Sequence, residues 1–163
     1  MANTQAMCTS FMQQLMVGVH QLGTATLVSR TSLTAPTTDT LKAALYLATA
    51  TVNAATTAYS ASNEVSGTGY SAGGVTVTNA TAPNSTNTST TAGVAFFTPS
   101  ASITYTTVTL TTAFDAVLIY NSTQSNKAIS VHTFGSQTIT AGTFTLTMPS
   151  NTTSTALIRL ATT

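Results

Sequence analysis

Two apolar runs face each other across a polar turn within Phe114 to Phe134. Val117, Leu118, Ile119 and Tyr120 are consecutive, β-branched or aromatic for the most part, and read as a strand covered on both faces. After Asn121-Ser-Thr-Gln-Ser-Asn126 the chain returns from Lys127, with Ile129 and Val131 on one face and Ser130, His132 and Phe134 on the other. The pattern predicts a central hairpin with a dry side and a wetter one.

Upstream, Phe11, Leu15, Val19 and Leu22 recur at spacings of four, four and three with Met12 and Met16 beside them, which predicts one amphipathic helix over 9–22. Ser10 and Gln13 fit a capping box and Gly23 a C-terminal stop. The stripe Phe11, Met12, Leu15, Met16, Val19 suits packing on the protein's own sheet and also makes a possible interface. Thr24 to Thr40 is polar, contains Pro36, and reads as a loop or extended connection. Leu41 to Val52 predicts a strand with Leu41, Ala43, Leu45, Leu47 and Thr49 on one face, although its Ala content also suits a helix.

Asn63 to Gly74 carries Gly67, Gly69, Gly73 and Gly74 around Glu64, a density expected of a tight structural loop with backbone conformations closed to most side chains. Short strands are predicted at Val75–Val77, Val94–Phe97, Ile103–Leu110, Gln137–Ile139, Thr143–Met148 and Ala156–Leu160, with a turn at Ala141-Gly142. In the Ile103–Leu110 strand, Ile103, Tyr105, Thr107 and Thr109 share one face and Thr104, Thr106, Val108 and Leu110 the other. Asn79 to Gly93 is low-complexity and polar and is expected to be an exposed loop. The expected fold is mainly β: an antiparallel β-sandwich or jelly-roll-like domain with one N-terminal α-helix. The 163 residues form one expected domain, with helix and extended arm in 1–40 and the sandwich in 41–163.

Composition sharpens this picture. Charged residues are 4% of the chain, against roughly 25% in ordinary soluble domains. Thr, Ser, Asn and Ala stand in their place, and Thr favours strands while offering a hydroxyl without an ion's desolvation cost. A formal net charge of +1 gives little self-repulsion, so the working surface is expected to be largely covered. Arg30, Lys42, Lys127 and Arg159 are scattered, which argues against nucleic acid or an anionic membrane as partner. The N-terminus lacks a charged n-region and continuous apolar h-region, so Sec secretion is not expected. The sequons at Asn79, Asn84, Asn87, Asn121 and Asn151 are those a Ser/Thr-rich chain forms by chance. Cys8 is the single cysteine and reads as a small buried apolar residue.

One catalytic pattern needs weighing. Gly69-Tyr-Ser71-Ala-Gly73 matches G-x-S-x-G, and Asp115 and His132 follow in the order of an α/β-hydrolase triad. The elbow requires a helix after the serine, whereas Gly74-Val-Thr-Val-Thr78 has a strand pattern. Asp39, Glu64 and Asp115 are isolated in sequence. Glu64 is expected to accept backbone amides in its loop, and Asp115 to cap a turn or pair with Lys127 or Arg159. His20 reads as a polar-side or capping residue. No cofactor, metal or catalytic site is expected.

The chain also resembles small structural proteins of tailed bacteriophages found among head and tail assembly products. The resemblance lies in Cys8-Thr-Ser-Phe11 with Leu15 to His20, Leu41-Lys-Ala-Ala-Leu-Tyr46, Thr56-Thr-Ala-Tyr59, Glu64 to Tyr70 with Ala72-Gly-Gly74, Ala116 to Ser125, and Phe134-Gly135 with Gly142 to Pro149. The Ser/Thr/Asn stretch 84–91 and the scarcity of charge depart from the pattern. The resemblance implies a virion structural protein, assembled in the bacterial host cytoplasm: a capsid decoration or cement protein whose partners are the major capsid protein or other virion proteins and further copies of itself. A tail or head-fibre component, ring-forming or binding the host surface through 79–93, is the alternative; a Ser hydrolase is a remote one.

Overall fold

In a computed structural model, residues 2–16, 18–23, 37–78, 82–86 and 93–161 are described. The elements in chain order are β1 (Ala6–Met7), α1 (Thr9–Met16), β2 (Leu41–Leu47), β3 (Val75–Val77), β4 (Asn84–Ser85), β5 (Val94–Phe97), β6 (Ile103–Asn121), β7 (Lys127–Leu146) and β8 (Ile158–Ala161). A five-stranded sheet has the order β1-β7-β6-β2-β3 and a three-stranded sheet the order β4-β5-β8, every pairing antiparallel. Phe97 and Ile158 from the smaller sheet share one apolar core with Leu118, Ile119 and Ile129 of the larger. The mainly β, sandwich-like fold expected from the sequence is thus present, with one short helix.

The Val117–Tyr120 run occupies the middle strand and is buried on both faces. The separate strands expected between Ile103 and Met148 are instead two long ones, while the strand expected at Ala156–Leu160 is present as β8. β6 runs unbroken from Ile103 to Asn121, and β7 from Lys127 through the expected turn at Ala141-Gly142 to Leu146. Bulges let them continue. Between the pairs Tyr105↔Phe144 and Val108↔Gly142, Thr106 and Thr107 oppose the single residue Thr143. Thr107 takes φ 53°. The extra residue reverses the alternation, so Ile103 and Tyr105 are buried on one side of it and Val108 and Leu110 on the other. The predicted division of that strand into two constant faces therefore fails after Tyr105. A compensating bulge on β7 sets Thr140 and Ala141 against Thr109, with Ala141 at φ 47°.

β2 is the strand, not the helix, that Leu41–Val52 allowed, but it stops at Leu47 and both its faces are buried. α1 ends at Met16, well before Gly23. The Gly18 N–H bonds the Leu15 carbonyl at 3.2 Å and the Val19 N–H reaches the Gln14 carbonyl at 3.0 Å. With Gly18 at φ 72°, this is a Schellman stop, and the glycine that ends the helix is the earlier one. The expected capping box is also displaced: α1 starts at Thr9, and the buried Ser10 hydroxyl finds no partner among the described residues.

Residues 2–23 are not a free arm. β1 pairs with β7, the Cys8 N–H bonds the Ile129 carbonyl, and Cys8, Phe11 and Leu22 lie in the common core. Residues 24–36 of the predicted connection, with Arg30, and residues 79–81 and 87–92 of the predicted 79–93 loop lie outside the described residues. Within that loop, Asn84 and Ser85 form an exposed strand on β5. No helix among the described residues is long and apolar enough to cross a membrane.

Candidate interaction surface

The glycine-rich loop 63–74 ties β2 to β6 just ahead of β3. Its start pairs with β2 through the bridge Tyr46↔Glu64, and its middle pairs with β6 through Thr68↔Thr109. Backbones meet so closely there that a β-carbon on Gly67 would lie 2.0 Å from the Thr109 carbonyl oxygen, and one on Gly74 1.6 Å from that of Ala43. Gly69 and Gly73 add positive φ of 79° and 86°.

Glu64 is the polar centre of this loop. Its Oε1 accepts the Gly73 N–H at 2.8 Å and the Tyr70 hydroxyl at 2.7 Å, and its Oε2 accepts the Tyr59 hydroxyl at 2.6 Å. The chain's five tyrosines gather round it. Tyr120 stacks on Tyr59 with centroids 4.7 Å apart and donates to the Gly73 carbonyl, while Tyr105 stacks on Tyr70 and donates to the Ala43 carbonyl. Tyr46 donates to the Ser60 carbonyl. Burial, with the Glu64 charge close by, raises all five phenols, Tyr46 to about 12. They are hydrogen-bond donors at neutral pH, and the carboxylate accepts two of them, Tyr59 and Tyr70, with the Gly73 amide as its third donor. The sequence spacing of the tyrosines carried no sign of this convergence.

A second network closes the central hairpin. Asn121 Nδ2 donates to Asp39 Oδ2 at 2.6 Å and contacts His20 Nδ1 at 2.9 Å, while Asp39 also accepts the Gln21 N–H and Gln124 Nε2. His20 Nε2 lies 2.8 Å from Gln14 Oε1. An imidazole that accepts at Nδ1 and donates at Nε2 is neutral. Burial lowers the His20 pKa, partly opposed by Asp39. Burial also pushes the Cys8 thiol up to about 11.

The structure does not assemble the hydrolase pattern. Ser71 is exposed ahead of β3, with no helix after it. Asp115 accepts Asn3 Nδ2 at 2.6 Å, so its partner is neither Lys127 nor Arg159 as expected. His132 Nε2 pairs with Ser130 Oγ at 2.9 Å, and burial lowers its pKa to about 4. Among the described residues, no three His, Cys, Asp or Glu side chains gather as metal ligands.

The predicted helix interface is divided by its own periodicity. Phe11 is fully buried, edge-on to His20 at 4.9 Å, so it is unavailable to a partner; Leu15 and Val19 are half-buried. Met12 and Met16 point outward, Met16 being 82% exposed.

A larger open surface lies along β7. Its outer edge is covered at the start, where the Ala128 N–H bonds the Thr57 carbonyl, Ala58 bridges Lys127, and β1 pairs with Ser130 and Val131. From His132 to Leu146 no strand lies on that edge among the described residues. Phe134, Ile139, Phe144 and Leu146 pack toward the core, and Phe144 meets Phe114 and Phe134 at 5.2 Å each. Thr138, Thr140, Thr143 and Thr145 are exposed. This stretch carries no charged residue and no proline. Compared with family models, curated proteins and solved structures, the chain has no match. The phage resemblance therefore rests on the sequence segments alone.

Proposed function

We propose that the chain is a structural component of a tailed-phage virion, a decoration or cement protein that binds the assembled head and stabilises it. The edge of β7 from His132 to Leu146, uncharged and without a paired strand among the described residues, supports this reading most directly. Soluble proteins usually protect such edges with lysine, proline or an inward charge, and a chain with 4% charged residues offers little of that protection. An edge of this kind suits main-chain pairing with a partner strand, and a low-charge Thr-rich surface suits broad contact without desolvating ions. The role requires no chemistry, in keeping with Ser71, Asp115 and His132 each being engaged elsewhere or standing apart.

The test is co-sedimentation of the purified chain with empty heads of the parent phage, followed by electron microscopy of the decorated particles. Saturable binding at many sites over the shell is expected. Failure to bind heads would overturn the reading, and a few copies at one vertex would replace it with the tail or head-fibre alternative.

A further inference from the structure

We infer that His20 is the trigger of a clamp that opens in acid, releasing residues 18–21 from the turn of the central hairpin and uncovering apolar surface beneath them. The device lies within one chain and stands whether or not the chain binds heads.

The hydrogen bonds around Asn121 fix the state of the imidazole. Asn121 is fully buried, and its Oδ1 accepts the Thr123 and Gln124 N–H groups at 3.1 Å each. Its Nδ2 must therefore face the other way, where it donates to Asp39 Oδ2 at 2.6 Å and meets His20 Nδ1 at 2.9 Å. An amide nitrogen only donates, so Nδ1 is the unprotonated ring nitrogen, and Nε2 carries its hydrogen toward Gln14 Oε1 at 2.8 Å. A second proton on the ring would set two donors against each other at Nδ1. Asn121 cannot turn over to accept it without losing both backbone amides and its bond to Asp39. The Asp39 oxygens are already taken by Asn121, the Gln21 N–H and Gln124. Lys127 adds like charge, and α1 brings no charged residue to the ring, only Gln14 and the edge of Phe11. Burial resists the proton while the clamp is closed, so protonation of the ring and release of the clamp are one event.

What the clamp holds follows from its other contacts. The Asp39 N–H bonds the Gln21 carbonyl at 3.1 Å and the Gln21 N–H bonds Asp39 Oδ2 at 2.8 Å, so His20 and Gln21 are tied to the hairpin through the same cluster. His20, Gln21 and Leu22 form one side of an apolar cleft whose other side is Phe96, Phe97 and Ile158. Those three are at most 7% exposed, and separating the two sides wets surface that neutral pH keeps dry.

Hydrogen exchange and a dye titration from pH 7.5 to 4.5 test this. After correction for the intrinsic pH dependence of exchange, the Gln21 and Asp39 amides are expected to lose protection by about tenfold, whereas the Val65 amide, bonded to the Leu45 carbonyl in the glycine-rich loop, loses less. Fluorescence of anilinonaphthalene sulfonate is expected to rise with the same midpoint, and the His20 ring to titrate there by NMR. His20→Gln still offers an oxygen to Asn121 but takes up no proton, and its Gln21 and Asp39 amides are expected to stay protected across the range. Equal loss at Val65, a ring midpoint apart from that of the amides, a dye signal that does not rise, or an undiminished acid response in His20→Gln would each overturn the inference. Should the variant fail to fold, the agreement or disagreement of ring, amide and dye midpoints in the wild type decides.

Discussion

Gly67 passes under Thr109 so closely that the Thr109 carbonyl oxygen occupies the space of a β-carbon, 2.0 Å from where one would be. The obstructing atom is backbone in a paired strand and cannot swing aside. Gly67→Ala is expected to destabilise by about 2–4 kcal/mol, in the range of overpacked interior sites. Gly69→Ala is expected to do as much, since it adds a positive φ to a 2.3 Å approach to the Thr107 carbonyl. Gly135, with nothing within 4 Å, is the control, and Gly135→Ala should stay within about 0.5 kcal/mol. Urea denaturation of the three variants checks the order.

Glu64 accepts two half-buried phenols and one buried amide. Glu64→Ala leaves those donors unsatisfied and is expected to lose about 3–5 kcal/mol. Glu64→Gln keeps one acceptor oxygen and turns the other position into a donor that the Tyr59 hydroxyl can accept, so about 1–2 kcal/mol is expected. Equal losses in the two variants, measured by thermal or chemical unfolding, would count against the carboxylate as the organising group.

Stability should depend on pH through the histidines. Burial lowers the pKa of both, that of His132 to about 4. In the unfolded chain each takes up a proton near the ordinary value of 6.5, so between that pH and the folded value the unfolded state binds more protons. Their contribution is therefore complete above pH 6.5 and declines as pH falls toward about 4. Denaturation at pH 8, 6 and 4.5 should show the decline, and His132→Gln should make it shallower. An unchanged slope in the variant would remove His132 from this role.

Thr107 adopts φ 53° although it is β-branched, a conformation that costs roughly 1–3 kcal/mol in such residues. Its side chain is exposed. Thr107→Asn, which tolerates this region, is expected to raise stability by about 1 kcal/mol, measurable as a higher denaturation midpoint. A lower midpoint would mean that the threonine methyl makes a needed contact.

Gly18→Ala tests the helix stop. The position has φ 72° and open space around it, so the cost is conformational alone, about 1 kcal/mol. Gly23→Ala is the matching substitution at the glycine the periodicity favoured, and a larger loss there would move the stop back to Gly23.

Much of the fold was legible where burial imposes a simple period. The Val117–Tyr120 run identified the middle strand, alternation found β3, and Val94–Phe97 was found to the residue. Glu64 with Gly67, Gly69, Gly73 and Gly74 marked the tight loop, since glycine density reports backbone constraint directly. Periodicity could not locate the bulges at Thr106-Thr107 and Ala141. A bulge shifts the face by one residue, and only the partner strand reveals that two residues oppose one.

The sequence by itself determined that this chain is mainly β, poor in charge and centred on one hairpin, because these properties depend on residue type and spacing along the chain. Tertiary structure alone decided that five distant tyrosines surround one glutamate, that Phe11 turns inward while Met16 turns out, and that among the described residues no strand pairs with the outer edge of β7 beyond Val131. Each of these depends on which segments become neighbours, and contacts between positions far apart in the chain leave no local pattern from which to read them.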